Sequence, residues 1–126
     1  MSNPTESYEL TFEKRPGYLY ARISAENINR EIALTYLREV AERANMLEAA
    51  RLMIHRDIPE MLPDGILFFV TAAFQQMIVG IKTAFVNPYL SNEDAFKFAI
   101  TVGHNRGANY NIFTNDDDAE TWLLRA

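Results

Sequence analysis

The segment from Asn105 to Leu124, Asn-Arg-Gly-Ala-Asn-Tyr-Asn-Ile-Phe-Thr-Asn-Asp-Asp-Asp-Ala-Glu-Thr-Trp-Leu-Leu, constrains the fold more than any other stretch of the chain. It reads as a helix end, a strand, a cap and a terminal helix. Gly107 stands where a glycine just past the last turn stops a helix. Tyr110 to Phe113 is a short β-prone run. Asn115 is placed to cap the next helix, with Asp118 three residues on as its partner. Asp116, Asp117 and Asp118 put negative charge on the positive end of that helix. Ala119, Trp122 and Leu123 give it an apolar stripe, which must lie on a sheet.

The rest of the chain supplies that sheet. Tyr8 to Glu13 alternates apolar and polar residues, as does Tyr18 to Ile23, and Arg15-Pro16-Gly17 between them is a turn, so the two runs predict a β-hairpin. From Ile28 to Leu47 the period changes. Ile32, Ala33, Tyr36, Leu37, Val40, Ala41, Ala44 and Leu47 recur at spacings of three and four, which predicts an amphipathic helix. Arg51 to His55 is a short apolar run, as expected of a buried parallel strand. A loop bracketed by Pro59 and Pro63 follows, then a helix over Gly65 to Val79, although Phe68-Phe69-Val70-Thr71 also suits a strand. Lys82 to Val86 predicts the next strand. Ser91 with Asp94 predicts a helix cap, and that helix runs to about Arg106. The order is ββαβαβαβα, which implies a mixed, mostly parallel five-stranded sheet with four helices, an α/β fold.

With 126 residues the chain is expected to be one domain over 8–126, preceded by a flexible, polar N-terminus over 1–7. A net charge of −5 leaves no basic stripe to neutralise phosphates, which argues against nucleic acid as a partner. No cysteine is present, so disulfides and thiolate chemistry are excluded. The start lacks the basic and apolar regions of a signal peptide. The greasiest stretch, Ile66 to Ile81, is interrupted by Thr71, Gln75 and Gln76 and is too short for a transmembrane segment. A cytoplasmic location is expected.

Three stretches carry a family resemblance: Gly17 to Ile23, Lys82 to Val86, and Asn105-Arg-Gly107 through Ile112-Phe113 to Leu123. On these residues the chain resembles the STAS domain family, and within it the SpoIIAA-like group, related in fold to the CRAL-TRIO lipid-transfer domains. The resemblance implies a SpoIIAA-like α/β fold over nearly the whole chain from Tyr8. STAS domains that act as switches carry an Asp-Ser-Ser-Gly motif after the third strand. Here that place reads Asp57-Ile-Pro-Glu-Met-Leu-Pro-Asp-Gly65, with no hydroxyl between Asp57 and Gly65. The phosphoacceptor serine is absent, and the phosphoswitch is not carried over.

Two groups of residues are candidates for a ligand site. His55-Arg56-Asp57 ends a strand of the parallel sheet, and ligands of open parallel sheets bind beyond the carboxyl ends of the strands. His55 and Asp57 are two apart and project to one side, so Asp57 or another carboxylate could orient the imidazole for general acid/base work. The simpler alternative is that Arg56 and Asp57 pair with neighbours and His55 is satisfied locally. His104 and Arg106, at the end of a helix, are explained by the negative pole of its dipole. The three aspartates near Asp116 could hold a divalent cation with Glu93 or Asp57, but helix charge explains them without a metal. With Glu60, Asp64, Glu93 and Asp94 they predict an acidic rim, which disfavours phosphate substrates and suits a basic partner surface or a cation.

The second group is Phe68, Phe69, Phe74 and Met77, with Ile78, Met61 and Leu62. Apolar residues on three sides of one helix exceed what one sheet face can cover, so the surplus would line an apolar pocket or form a self-association face. No glycine-rich phosphate loop, nucleophile elbow or metalloprotease helix occurs. The sequence therefore predicts a non-enzymatic STAS-like binding or regulatory domain. It would act through protein contacts or as a homodimer, with no cofactor or metal. The alternatives are a carrier or sensor of a small lipophilic ligand and an enzyme using His55 and Asp57.

Overall fold

Pro16 and Gly17 close the hairpin that starts the fold. Proline holds φ near about −65°, and a following residue with positive φ completes a type II turn. Gly17 has φ +90°, and a Cβ there would stand 2.7 Å from Leu124 Cδ2, so both conformation and space call for glycine. The computed structural model describes residues 8–60, 62–89 and 109–125. Strand β1 (Glu9–Arg15) pairs antiparallel with β2 (Tyr18–Ser24), with Arg15 opposite Tyr18. Helix α1 (Arg30–Met46) leads to β3 (Arg51–Asp57), and α2 (Asp64–Met77) to β4 (Lys82–Val86). Then come β5 (Tyr110–Phe113) and α3 (Asp116–Leu123).

The five strands lie in the order β1-β2-β3-β4-β5, and every pair after the hairpin is parallel. The protein is thus α/β with a mixed, mostly parallel sheet, and three helices fall among the described residues. The helix expected from Ser91 to about Arg106, its Gly107 stop, His104, and residues 1–7 lie outside the described residues. No described helix is long and apolar enough to cross a membrane.

The helix ends follow from local chemistry. Asn29 accepts a hydrogen bond from Ile32 N at 2.8 Å, so α1 begins after the cap and not at Ile28. At its other end Glu48 takes φ +53° and Ala49 N donates to Ala44 O at 2.9 Å, the six-to-one closure of a Schellman end. In α3, Asn115 Oδ1 accepts from Asp118 N at 2.8 Å, and Asn115 Nδ2 donates to Asp118 Oδ2 at 3.1 Å, as its sequence predicts.

The pleat of the strands sorts side chains to two faces. Leu19, Ala21, Ile23, Leu52, Ile54, Phe85 and Tyr110 join the main core beneath α1 and α2. Tyr18, Tyr20, Met53, Ala84 and Val86 point the other way and are covered by Ala119 and Leu123 of α3. From α2 and its C-cap the row Leu67, Val70, Phe74 and Ile78 is buried, a helical spacing that decides against the strand alternative for this segment.

Candidate functional site

The strand β3 runs two residues beyond the apolar stretch that predicts it, so His55, Arg56 and Asp57 are all within the sheet. The pleat divides them. His55 and Asp57 face the α3 side, where Arg22 stands opposite His55 and Ser24 opposite Asp57. Arg56 faces the α1 and α2 side and is buried.

His55 is held by Asp116, not by Asp57. Its Nδ1 lies 2.8 Å from Asp116 Oδ1, while the Tyr20 hydroxyl donates to Asp116 Oδ2 at 3.2 Å. Residues two apart on a strand are separated by about 6.6 Å, too far for a relaxed imidazole–carboxylate bond. The turn after β5 instead delivers the first residue of α3 directly over the imidazole. Burial, and then the Asp116 charge, push the Tyr20 phenol up to about 12. The side chains of His55 and Asp116 keep 20% and 34% of their exposure, so this pair orients more than it stabilises.

Asp57 has its own partners. Arg22 Nη2 donates to Asp57 Oδ2 at 2.7 Å and the Tyr89 hydroxyl to Asp57 Oδ1 at 2.6 Å. That bond to Asp57 is the largest cause raising the Tyr89 phenol above its usual value. Arg56 braces the loop after β3 from below, donating to Ile58 O at 2.6 Å and to Glu60 O at 2.5 Å. Burial lowers the Arg56 guanidinium, and Tyr36 of α1, hydrogen-bonded to it, acts in the opposite direction. Glu60 in turn accepts from Ile28 N at 2.8 Å, tying the loop after β3 to the loop before α1.

An open cleft of about 820 Å³ lies beside Asp57 at this edge. Ser24 at the end of β2, with Glu26 and Asn27 from the loop after it, lines the cleft together with Glu9, Tyr8 and Tyr89. Among the described residues, no three histidine or acidic side chains are grouped so as to hold a metal ion.

The apolar candidates sit across the sheet from His55 and Asp57. Phe74 is core, with Phe85 at 6.1 Å and Tyr110 at 6.4 Å between ring centres. Phe68 and Met77 are half-buried. Phe69 is 51% exposed, with the Arg30 guanidinium 5.7 Å from its ring centre. The six residues singled out in the sequence therefore form two separate groups and not one pocket.

Sequence reasoning missed Asp116 as the histidine's partner and passed over Tyr20, Arg22 and Tyr89. A signal existed for two of them. The alternation Tyr18, Tyr20, Arg22 puts these residues on the face opposite Leu19, Ala21 and Ile23, where His55 also lies. No protein-family model matches the chain, and no curated protein matches it.

Proposed function

We propose that this chain is a non-catalytic binding or regulatory domain of the SpoIIAA-like STAS type, working in the cytoplasm through protein contacts at the carboxyl rim of its sheet. The observation that carries this reading is the internal engagement of two rim carboxylates. Asp57 and Asp116 each accept two hydrogen bonds from the domain's own side chains, beside a cleft left open to solvent. Groups engaged in this way hold loops in place, and a loop-built surface on a rigid sheet is where binding residues concentrate. The sequential strand order with one antiparallel edge strand supports the STAS-like reading. The segment Asp57 to Gly65 offers no serine or threonine, so regulation would be by occupancy and not by phosphorylation of that loop.

Site-specific photo-crosslinking tests the reading. A photoreactive residue at Asn27, in the cleft wall, is expected to give a discrete adduct in cells, while the same residue at Met46 gives none. An adduct of twice the chain's mass assigns the contact to a second copy. Absence of any adduct from Asn27, or equal labelling from Met46, overturns the proposal.

A further inference from the structure

We infer that the cleft beside Asp57 receives a lysine- or arginine-bearing segment of a protein partner. The inference rests on the docking reading above and names the chemistry of what docks. Among the described residues that line the cleft, three are carboxylates and none is cationic. They are not equivalent. Asp57 is already held by Arg22 and Tyr89, so it sets the shape of the wall and adds little uncompensated charge. Glu9 and Glu26 are exposed and accept no hydrogen bond from a described residue. Glu9 lies opposite Ser24, and Ser24 opposite Asp57, so register places Glu9 and Asp57 on one side of the sheet across three neighbouring strands.

The rest of the lining suits the stem of a long cation. Tyr8 donates its hydroxyl to Glu39, and Tyr89 donates to Asp57, which leaves their rings as wall. Ile32 and Pro59 add apolar surface to the same cleft. Lysine and arginine bury their methylene stems along such surface while the charged head reaches carboxylates or an aromatic face. At about 820 Å³ the cleft exceeds the needs of one side chain and is of the size that holds a short segment. Carboxylates at an open mouth also speed the approach of a basic partner.

The test uses ¹⁵N-labelled full chain titrated with an acetylated, amidated peptide, Gly-Lys-Gly-Arg-Gly-Lys-Gly, and with its glutamate counterpart. Amide shifts are expected at residues 24–29, 57 and 89 with the basic peptide alone, weakening as salt rises. The double variant Glu9→Gln, Glu26→Gln should bind about tenfold more weakly, from two rim charges acting together. Glu42→Gln, on the exposed face of α1, should bind as the parent does. Thermal melts confirm that each variant is folded. Shifts spread over the acidic surface, or equal weakening in Glu42→Gln, overturn the inference. So does spermidine binding at the cleft as tightly as the peptide, which would assign the site to a free polyamine. If Asn27 crosslinks a partner and the peptide leaves the cleft unmoved, this inference falls while the docking reading stands. If the peptide binds and no crosslink forms, both fall, because a basic-peptide site that meets no partner in cells is not the docking surface proposed.

Discussion

Among the described residues, the side of α1 and α2 is covered by one continuous apolar cluster, from Leu19 through Phe74 to Tyr110, whereas on the side of α3 the buried apolar set is small and polar pins do much of the holding. Asp116 fastens the start of α3 to His55 and Tyr20. Glu120 accepts from the Tyr18 hydroxyl at 2.6 Å. At the far end Lys82 Nζ donates to Trp122 O at 2.7 Å and Arg125 O at 3.0 Å, and lies 4.5 Å from the Trp122 ring centre. A positive charge there meets the negative end of the helix dipole. A helix of eight residues is too short to persist unaided, so its position depends on these contacts. The comparison teaches that burial supplies stability on one face and directed bonds supply placement on the other. The candidate site lies where placement governs.

The largest expected effect breaks both faces together. All six tyrosines are raised above the ordinary phenol value, Tyr20 to about 12. Each phenol binds its proton more tightly folded than unfolded. Its contribution is therefore complete below the unfolded value near about 10 and is lost as pH climbs through the folded value. Tyrosine absorbance at 295 nm and circular dichroism should change together between about pH 10 and 12. Free titration of Tyr20, Tyr36 and Tyr110 near about pH 10 with the dichroism intact would contradict the burial of these rings. Within that window the α3 face should loosen first, since less apolar surface holds it.

Truncation in the larger core comes next. Phe74→Ala should lower the unfolding free energy by about 3–5 kcal/mol in urea. A loss below about 1 kcal/mol would mean that the two faces do not differ as described. The smallest effect is the most local. Asp116→Asn should reduce global stability by about 1 kcal/mol, because the pair is partly exposed. It should also raise amide exchange across residues 119–123 while α1 remains protected. Equal deprotection of α1 would erase the distinction between a core face and a pinned face.

The elements that were legible in the sequence are those whose causes are local. Tyr110–Phe113, the Asn115 cap and the Ala119–Leu123 stripe depend on residues within a few positions of one another, and the structure has each of them. Lys82 to Val86 has the bounds its apolar run predicts. The site was legible only in part. The face shared by His55 and Asp57 follows from a period of two, but the carboxylate that orients His55 is 61 residues away in the chain. Arg56 resembles a surface residue by type, yet it is buried because its donors match carbonyls that the following loop turns inward. The surplus of aromatic residues on α2 was visible as a pattern. Its division into the core ring of Phe74 and the exposed ring of Phe69 depended on which neighbours packed against each.

The sequence by itself determined the order of the described elements, the Asn115 cap, the two-residue turn at Pro16-Gly17 and the sorting of strand residues to two faces. These arise from steric limits, backbone hydrogen bonds and periodicity over short distances. Only the tertiary structure decided that His55 meets Asp116, that Asp57 meets Arg22 and Tyr89, and that a cleft carrying Glu9 and Glu26 opens beside them. Such contacts join segments that are distant in the chain. They are set by strand register and by where each helix returns to the sheet, which no local pattern encodes.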